Sequence, residues 1–173
     1  MRRFSLALGA IMLAGSPPAT AQRARPDDVE SVEAILHAVY DVISGPAGQA
    51  RDWNRFRSLF VPDARLIPTF VREGQVQQVR LSVEDYVSRA GASLERSGFF
   101  ERESHRVVER YGNIAHVFST YESRRHADDA EPFVRGINSI QLLHDGERWW
   151  VVNIMWVDTQ TAGPIPARYN SGG

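Results

Sequence analysis

The last third of the chain contains a long β-rich stretch that runs from Phe133 to Asp158. Two runs of β-branched and aromatic residues flank Asp145-Gly146, a dipeptide that favours a two-residue turn because both turn positions need a positive φ. Three of the chain's four tryptophans lie on the second run. The stretch therefore predicts a β-hairpin that anchors a hydrophobic core.

The N-terminus has the pattern of an export leader. Arg2-Arg3 precedes an apolar run from Phe4 to Gly15, which is too short to span a bilayer because a membrane helix needs roughly 20 residues. Ala19-Thr20-Ala21 then forms a small-x-small cleavage site. We predict a signal peptide over residues 1–21, cleaved after Ala21, and a periplasmic or secreted protein without membrane association after cleavage. An uncleaved anchor is the alternative.

The remaining 152 residues of the 173 have the size of one domain. Without Arg2 and Arg3 the chain carries 18 basic and 21 acidic groups, a net charge of about −3. This balance argues against nucleic-acid binding, which needs a concentrated basic face. The chain has no cysteine, so a single hydrophobic core must hold the fold.

Periodicity predicts helices first and strands later, an order typical of α+β proteins. Residues 22–28 read as a flexible arm, 29–159 as the domain and 160–173 as a loose tail. Helices are predicted over residues 29–43, 53–60 and 83–97, and strands over 64–71, 76–81, 99–111, 114–125 and the two arms of the hairpin.

This order of elements, with the phrase D-G-E-R-W-W-V-V at Asp145–Val152 and P-D-A-R-L at Pro62–Leu66, resembles the nuclear-transport-factor-2-like superfamily and its SnoaL-like stand-alone domains. The resemblance implies a curved antiparallel or mixed sheet wrapped on three helices from the N-terminal half, which makes a cone with a pocket at its open end. It implies little about function, because this fold hosts isomerases, dehydratases, cyclases, epoxide hydrolases and binding proteins. The Asp-containing catalytic sets of its epoxide hydrolases and steroid isomerases have no mid-strand Asp to match them here.

A two-residue turn predicts which hairpin residues face each other. Asn138 should oppose Asn153 on one face and Arg135 should oppose Trp156 on the other. Opposed amides in an apolar setting must bond each other, water or a ligand, and Arg135 is expected either to stack on Trp156 or to clamp a carboxylate. The predicted ligand-pocket residues are Asn138, Asn153, Arg135, Trp149, Met155 and Trp156.

Both faces of the hairpin are mostly apolar, whereas a sheet solvated on one side alternates more cleanly. We therefore predict a homodimer in which a second subunit covers the outer sheet face. A monomer with an apolar outer face is the alternative.

Glu101, Glu103 and His105 are predicted to share one face of a strand. A carboxyl group in an apolar cone would have a raised pKa and could move protons, and a histidine could do so near its ordinary pKa. The predicted catalytic residues are Glu103, His105 and Tyr121, whose hydroxyl could bond a ligand. A solvated, charge-rich strand face is the alternative. No histidine pair has metal-ligand spacing, so neither a metal nor a cofactor is predicted.

These patterns leave three functions open. The first is an exported domain that binds a small, largely apolar molecule. The second is an acid–base enzyme such as an isomerase, dehydratase or cyclase. The third is a structural or partner-binding dimer whose cone is filled with side chains. Cavity volume separates the third from the others, because a ligand site needs on the order of 300 Å³ or more.

Overall fold

The computed structural model of the protein describes residues 23–170, so the predicted leader lies outside the described residues. The elements in chain order are α1 Pro26–Val29, α2 Val32–Ile43, α3 Trp53–Ser58, β1 Phe60–Arg72, β2 Gln75–Gln78, α4 Val83–Ser97, β3 Phe100–Tyr111, β4 Ile114–Arg124, β5 Val134–His144, β6 Trp149–Asp158, α5 Thr159–Ala162 and a 3-10 helix Ala167–Tyr169.

Side-chain caps set the helix boundaries. Ser31 accepts a hydrogen bond from the Ala34 backbone N–H at 3.0 Å and thereby splits the predicted first helix into α1 and α2. Ser82 and Asp85 form a reciprocal capping box at the start of α4. Within residues 23–170, no helix is long and apolar enough to cross a membrane.

In the described part of the chain, six strands form one mixed sheet in the order β2-β1-β6-β5-β4-β3, and β1 and β6 are its one parallel pair. The face that carries Ile140, Val151 and Ile154 is buried and contacts the helices; we call it the inner face. The opposite, outer face carries partly exposed residues such as Met155. The sheet with its helices confirms the predicted α+β fold.

The register of the β5–β6 hairpin differs from the prediction. Asp145 Oδ1 accepts the backbone N–H groups of Glu147 and Arg148, both at 2.9 Å, and these bonds organise a four-residue loop in place of a two-residue turn. The loop shifts the register by two residues, and an irregularity between Gln141 and Leu142 adds one more. The predicted Asn138–Asn153 pair is therefore wrong, since Asn138 lies opposite Trp156 and Asn153 opposite Gln141.

Strand β3 contains a bulge at Ser104, because Glu103 pairs with Tyr121 while His105 pairs with the next residue, Thr120. A bulge reverses the alternation of side chains along a strand. Glu101 and Glu103 therefore lie on the inner face, whereas His105 lies on the outer face, which corrects the predicted shared face.

Both ends of the described chain, for which the sequence predicts a flexible arm and a loose tail, make contacts with the domain. At the N-terminal end, Asp28 is buried and forms an ion pair with Arg55. At the C-terminal end, the Tyr169 ring packs on Phe118 on the outer sheet face. The Tyr169 carbonyl also accepts a hydrogen bond from Thr120 Oγ1 at 2.5 Å. The segment 159–170 thus covers part of the outer face.

Candidate functional site

A cavity of about 130 Å³ lies between the inner face of the sheet and the helices. Apolar side chains from α2, α3 and the sheet make most of its wall, and a carboxyl, two phenol groups and an amide supply its polar groups. The lining residues are Val39, Ile43, Phe56, Leu66, Tyr86, Phe99, Glu101, Tyr121, Asn138, Ile154 and Trp156.

Glu101 is the acidic group of this cavity. It lies near the start of β3, and its Oε2 accepts a hydrogen bond from Ser123 Oγ at 2.7 Å. Burial raises the pKa of Glu101 from 4.5 to about 7, while the hydrogen bonds from Ser123 and Asn138 lower it. Since the groups acting on it are uncharged, desolvation dominates and the carboxyl is poised to exchange a proton near neutral pH.

Two tyrosines present hydroxyl groups to the same cavity. Burial, with the nearby Glu101 carboxyl, raises the pKa of both Tyr86 and Tyr121, so both remain protonated donors at neutral pH. The Tyr121 ring lies against Gly136, where an added Cβ would come within 2.5 Å of the Tyr121 hydroxyl. A glycine on β5 is therefore required for Tyr121 to reach its position.

A chain of hydrogen bonds leads from the cavity to the edge of β3. Asn138 Nδ2 donates to the Tyr40 hydroxyl at 3.0 Å, and this hydroxyl lies 2.6 Å from Ser119 Oγ. Ser119 Oγ donates to Glu103 Oε1 at 2.5 Å, and Arg106 pairs with Glu103 Oε2 at 2.6 Å. Buried polar groups that are fully hydrogen-bonded in this way hold defined orientations.

The chain ends at a polar groove of about 440 Å³ between α2 and the edge of β3, which we call the rim groove. Its lining includes both carboxyl residues of the inner face, Glu101 and Glu103, together with the cationic residues Arg102 and Arg106. The inner cavity and the rim groove therefore lie on either side of Glu101.

The predicted catalytic residues occupy three different environments. Tyr121 lines the inner cavity. Glu103 lies at the rim groove, paired with Arg106. His105 lies on the outer face because of the bulge at Ser104. The structure thus brings Tyr121 together with Glu101. The sequence predicted that Glu101 shares a strand face with Glu103, but Glu101 was not among the predicted catalytic residues.

The predicted pocket residues also separate. Asn138 and Trp156 line the inner cavity. Trp149 is buried in the core under Arg110, whose guanidinium carbon lies 4.8 Å from its ring.

The other predicted pocket residues lie on the outer face. Met155 is 40% exposed beside the C-terminal segment, and Asn153 lies two residues before it on β6. Arg135 contacts Glu122 and Asn170, so it neither stacks on Trp156 nor reaches the cavity.

Sequence reasoning missed Tyr40 and Tyr86, which belong to the inner site. Tyr40 lies on the apolar stripe of α2 and Tyr86 on that of α4, where both rings look like ordinary core residues. Their hydroxyl groups could have identified them as site residues, because a buried tyrosine hydroxyl normally finds a polar partner.

Comparison with known proteins gives structural matches only. No protein-family model matches the chain, and no curated protein matches its sequence. A protein of unknown function with a cystatin-like fold from Nostoc punctiforme is 12% identical with a TM-score of 0.53, over 72% of this chain and 86% of that one. An NTF2-like protein of unknown function from Pseudomonas putida is 14% identical with a TM-score of 0.50, over 72% of this chain and 79% of that one.

Matches at such low identity establish architecture and leave the activity open. The mixed sheet curved over helices and the inner cavity agree with the cone that the sequence resemblance implied. The chain therefore has the nuclear-transport-factor-2-like fold.

Proposed function

We propose that the protein binds a small, largely apolar molecule of about single-ring size in the inner cavity, with one polar group of the molecule beside Glu101 and Tyr121. The observation that carries the proposal is a carboxyl group with a raised pKa in a cavity whose wall is mostly apolar. An acidic group without a partner cation is expensive in a purely structural core. Binding a ligand with a hydroxyl or carbonyl group would satisfy it.

The volume of the cavity limits the ligand. At about 130 Å³ it is smaller than the roughly 300 Å³ of a typical drug-sized site. It is close to the engineered apolar cavity of about 150 Å³ that binds benzene. By the criterion of the sequence analysis, the volume taken alone favours a cone filled with side chains. The polar groups gathered around Glu101 are the reason to prefer the ligand over that alternative.

Ligand-observed NMR with phenol, benzyl alcohol and cyclohexanone tests the proposal. Ile154 lines the cavity, so Ile154→Phe should fill it and abolish binding. The neighbouring Met155 lies on the outer face, so Met155→Phe is the matched control and should bind as the wild type does. Equal binding by both variants would contradict a site inside the cone.

Acid–base catalysis in the same cavity is the second candidate, and the pKa of Glu101 favours it. A general base works best when its pKa lies near the working pH, and the pKa of Glu101 is about 7. Its carboxylate would remove a proton next to the carbonyl of a bound ketone, while the Tyr121 hydroxyl would donate a hydrogen bond to the developing oxyanion.

Deuterium exchange into cyclohexanone in D₂O distinguishes catalysis from binding. An enzyme should accelerate the exchange, and Glu101→Gln should abolish the acceleration while binding is retained. If the wild-type protein binds the ketone but leaves its exchange rate unchanged, the cavity is a binding site alone.

The leader pattern supports the further proposal that the protein is exported. N-terminal sequencing of the protein from a periplasmic fraction should begin at Gln22. A chain that retains Met1 and stays with the cytoplasmic fraction would contradict export.

A homodimer through the outer sheet face also stays a proposal. At the end of that face away from the C-terminal segment, Tyr111 is 88% exposed and Ile114 60% exposed, and such apolar exposure is typical of contact surfaces. Sedimentation should show a dimer that Ile114→Asp dissociates. A wild-type monomer at micromolar concentration would contradict the proposal.

A further inference from the structure

The hydrogen-bond chain between the cavity and the rim groove has a single direction. Glu103 is paired with Arg106 at 2.6 Å, and an ionised carboxylate only accepts hydrogen bonds. Ser119 must therefore give its one hydroxyl proton to Glu103, over 2.5 Å. Its oxygen is then free to accept from the Tyr40 hydroxyl, 2.6 Å away.

This direction determines which end of the Asn138 amide faces Tyr40. Once Tyr40 has donated its one proton to Ser119, its oxygen can only accept from Asn138. Asn138 must therefore present its NH₂ group to Tyr40, which agrees with the observed donation from Nδ2 at 3.0 Å. The amide is also buried, with 7% of its surface exposed. Because its NH₂ group carries two protons, one of them remains for a second acceptor.

Glu101 is the carboxyl group that lines the same cavity as Asn138. The Asn138 amide and Ser123 are the two hydrogen-bonding groups that lower the pKa of Glu101 against the effect of burial. An amide turned the other way would point its carbonyl oxygen at the carboxylate and would raise the pKa instead.

We propose that Glu103 is a positioning residue, which holds the Asn138 NH₂ group towards Glu101 through Ser119 and Tyr40 and so sets how readily Glu101 releases its proton. The inference rests on the proposed function, since Glu101 is the polar centre of the proposed binding cavity. Glu103 itself lies outside that cavity.

Other polar groups lie around Glu101 and Glu103 and contribute to the pKa that a pH titration measures. Around Glu101 they are Tyr40 from α2, Tyr86 from α4, Tyr121 and Ser123 from β4 and Asn138 from β5. Glu101 also lines the rim groove, where the charged and titratable residues are His37, Asp41, Arg102, Glu103, Arg106 and Arg124. Around Glu103 they are Tyr40, Ser119 and Arg106, with Glu33 3.7 Å from Arg106 and with His37, Asp41, Arg102 and Arg124 lining the rim groove.

Glu103→Gln distinguishes a positioning role from simple electrostatics, because the two would change the pKa of Glu101 in opposite directions. Arg106 only donates, so the carbonyl of the introduced glutamine must face Arg106 and its NH₂ group must face Ser119. The hydrogen-bond chain then reverses, and the Asn138 carbonyl turns towards the proton of Tyr40, which withdraws the amide donor from Glu101. Loss of this donor raises the pKa of Glu101, whereas loss of a nearby negative charge alone lowers it.

The experiment is a pH titration of Glu101 by NMR in ligand-free protein labelled with ¹³C at the glutamate carboxyl carbons. The pKa of Glu101 should rise by about one unit in Glu103→Gln, a tenfold change in proton affinity. It should also rise in Ser119→Ala, which interrupts the chain but keeps the charge. Glu109→Gln is the control, because Glu109 is an exposed carboxylate of the same strand.

A fall or no change of the Glu101 pKa in Glu103→Gln, or no change in Ser119→Ala, would overturn the inference. The titration needs no ligand, so its failure is distinct from failure of the proposed function. That function fails when Ile154→Phe and Met155→Phe bind the probes equally, whatever the titration shows.

Discussion

At the scale of single residues, the burial of Glu101 makes the protein's stability depend on pH in an unusual direction. Its pKa is about 7 in the folded protein and 4.5 in the ordinary, exposed state. Between these values the folded state holds a proton that the unfolded state has lost, so the free energy of unfolding falls as the pH rises from about 4.5 to 7 and levels off above pH 7.

Glu101→Gln should remove this loss of stability. The variant should be more stable than the wild type by about 1–3 kcal/mol at pH 8, with little difference at pH 4. Urea denaturation at the two pH values checks this, and a difference that is independent of pH would contradict it.

Gly136 supports a second prediction at this scale. A Cβ there would collide with the Val157 carbonyl oxygen and would lie 2.5 Å from the Tyr121 hydroxyl. Gly136→Ala should therefore lower the free energy of unfolding by about 1–3 kcal/mol through overpacking. Gly91→Ala, in the interior of α4, is the control; its added methyl group would lie 3.3 Å from the Trp53 ring, and the gain in helix propensity offsets that contact. Thermal denaturation compares the stabilities of the two variants. Equal melting temperatures would contradict the close approach of Val157 and Tyr121 to Gly136.

Single residues also show how far the sequence predicts the site. Tyr121 was selected because its hydroxyl could bond a ligand, and Asn138 because an amide in an apolar setting needs a partner, although its predicted pairing with Asn153 was wrong. Glu101 and Glu103 were correctly placed on one face of β3, but their roles depend on which of them pairs with a cation, and of the two it is Glu103 that pairs with Arg106. The bulge at Ser104 moved His105 to the outer face, and nothing in the local sequence marks that bulge.

At the scale of elements, an ion pair ties the short helix α1 to α3. Asp28 is 7% exposed and accepts two hydrogen bonds from Arg55, both at 2.8 Å. Arg55 holds the pKa of Asp28 below its usual value, so this contribution to stability is present above about pH 4 and is lost as the pH falls further. Asp28→Asn should cost about 1–3 kcal/mol at pH 7, while Asp27→Asn, at the exposed neighbouring position, should cost little. Urea denaturation compares the two, and equal stabilities would show that the N-terminal segment is as loose as its sequence suggested.

The hairpin shows why element boundaries were easier to predict than strand register. Both strands were predicted close to their observed ranges because they are rich in β-branched and aromatic residues. Their register depended on a single side chain, since Asp145 closes a four-residue loop by accepting two backbone N–H groups and the Trp150 indole N–H. The resulting shift was enough to separate Asn138 from Asn153.

At the scale of the whole molecule, the C-terminal segment acts as a cover for the outer sheet face. The Tyr169 ring lies 5.0 Å from that of Phe118, and Ile165 borders a cleft of about 400 Å³ above Ile137 and Met155. A chain that ends at Gly163 should expose this apolar surface and bind the dye ANS several-fold more strongly, with unchanged far-UV circular dichroism. Tyr169→Ala should give a smaller increase. Unchanged dye binding in the shortened chain would contradict a covering role.

The cone as a whole was predictable because its pattern of helices, strands and turn phrases is distributed over most of the chain. The covering role of the C-terminal segment was not predictable, since residues 160–170 combine proline and glycine in a way that is typical of loose tails. These residues are held in place by contacts with the outer sheet face, and no local sequence pattern shows that this face is exposed.

The central claim is that the cavity of the cone presents a largely desolvated carboxyl group to a ligand. The most direct test is the pH titration of the Glu101 carboxyl carbon by NMR in the wild-type protein, assigned by comparison with Glu101→Gln. The account predicts a midpoint at about pH 7, shifted further when a single-ring probe occupies the cavity. A midpoint near 4.5 that no probe changes would show that Glu101 is solvated, and it would contradict the proposed site.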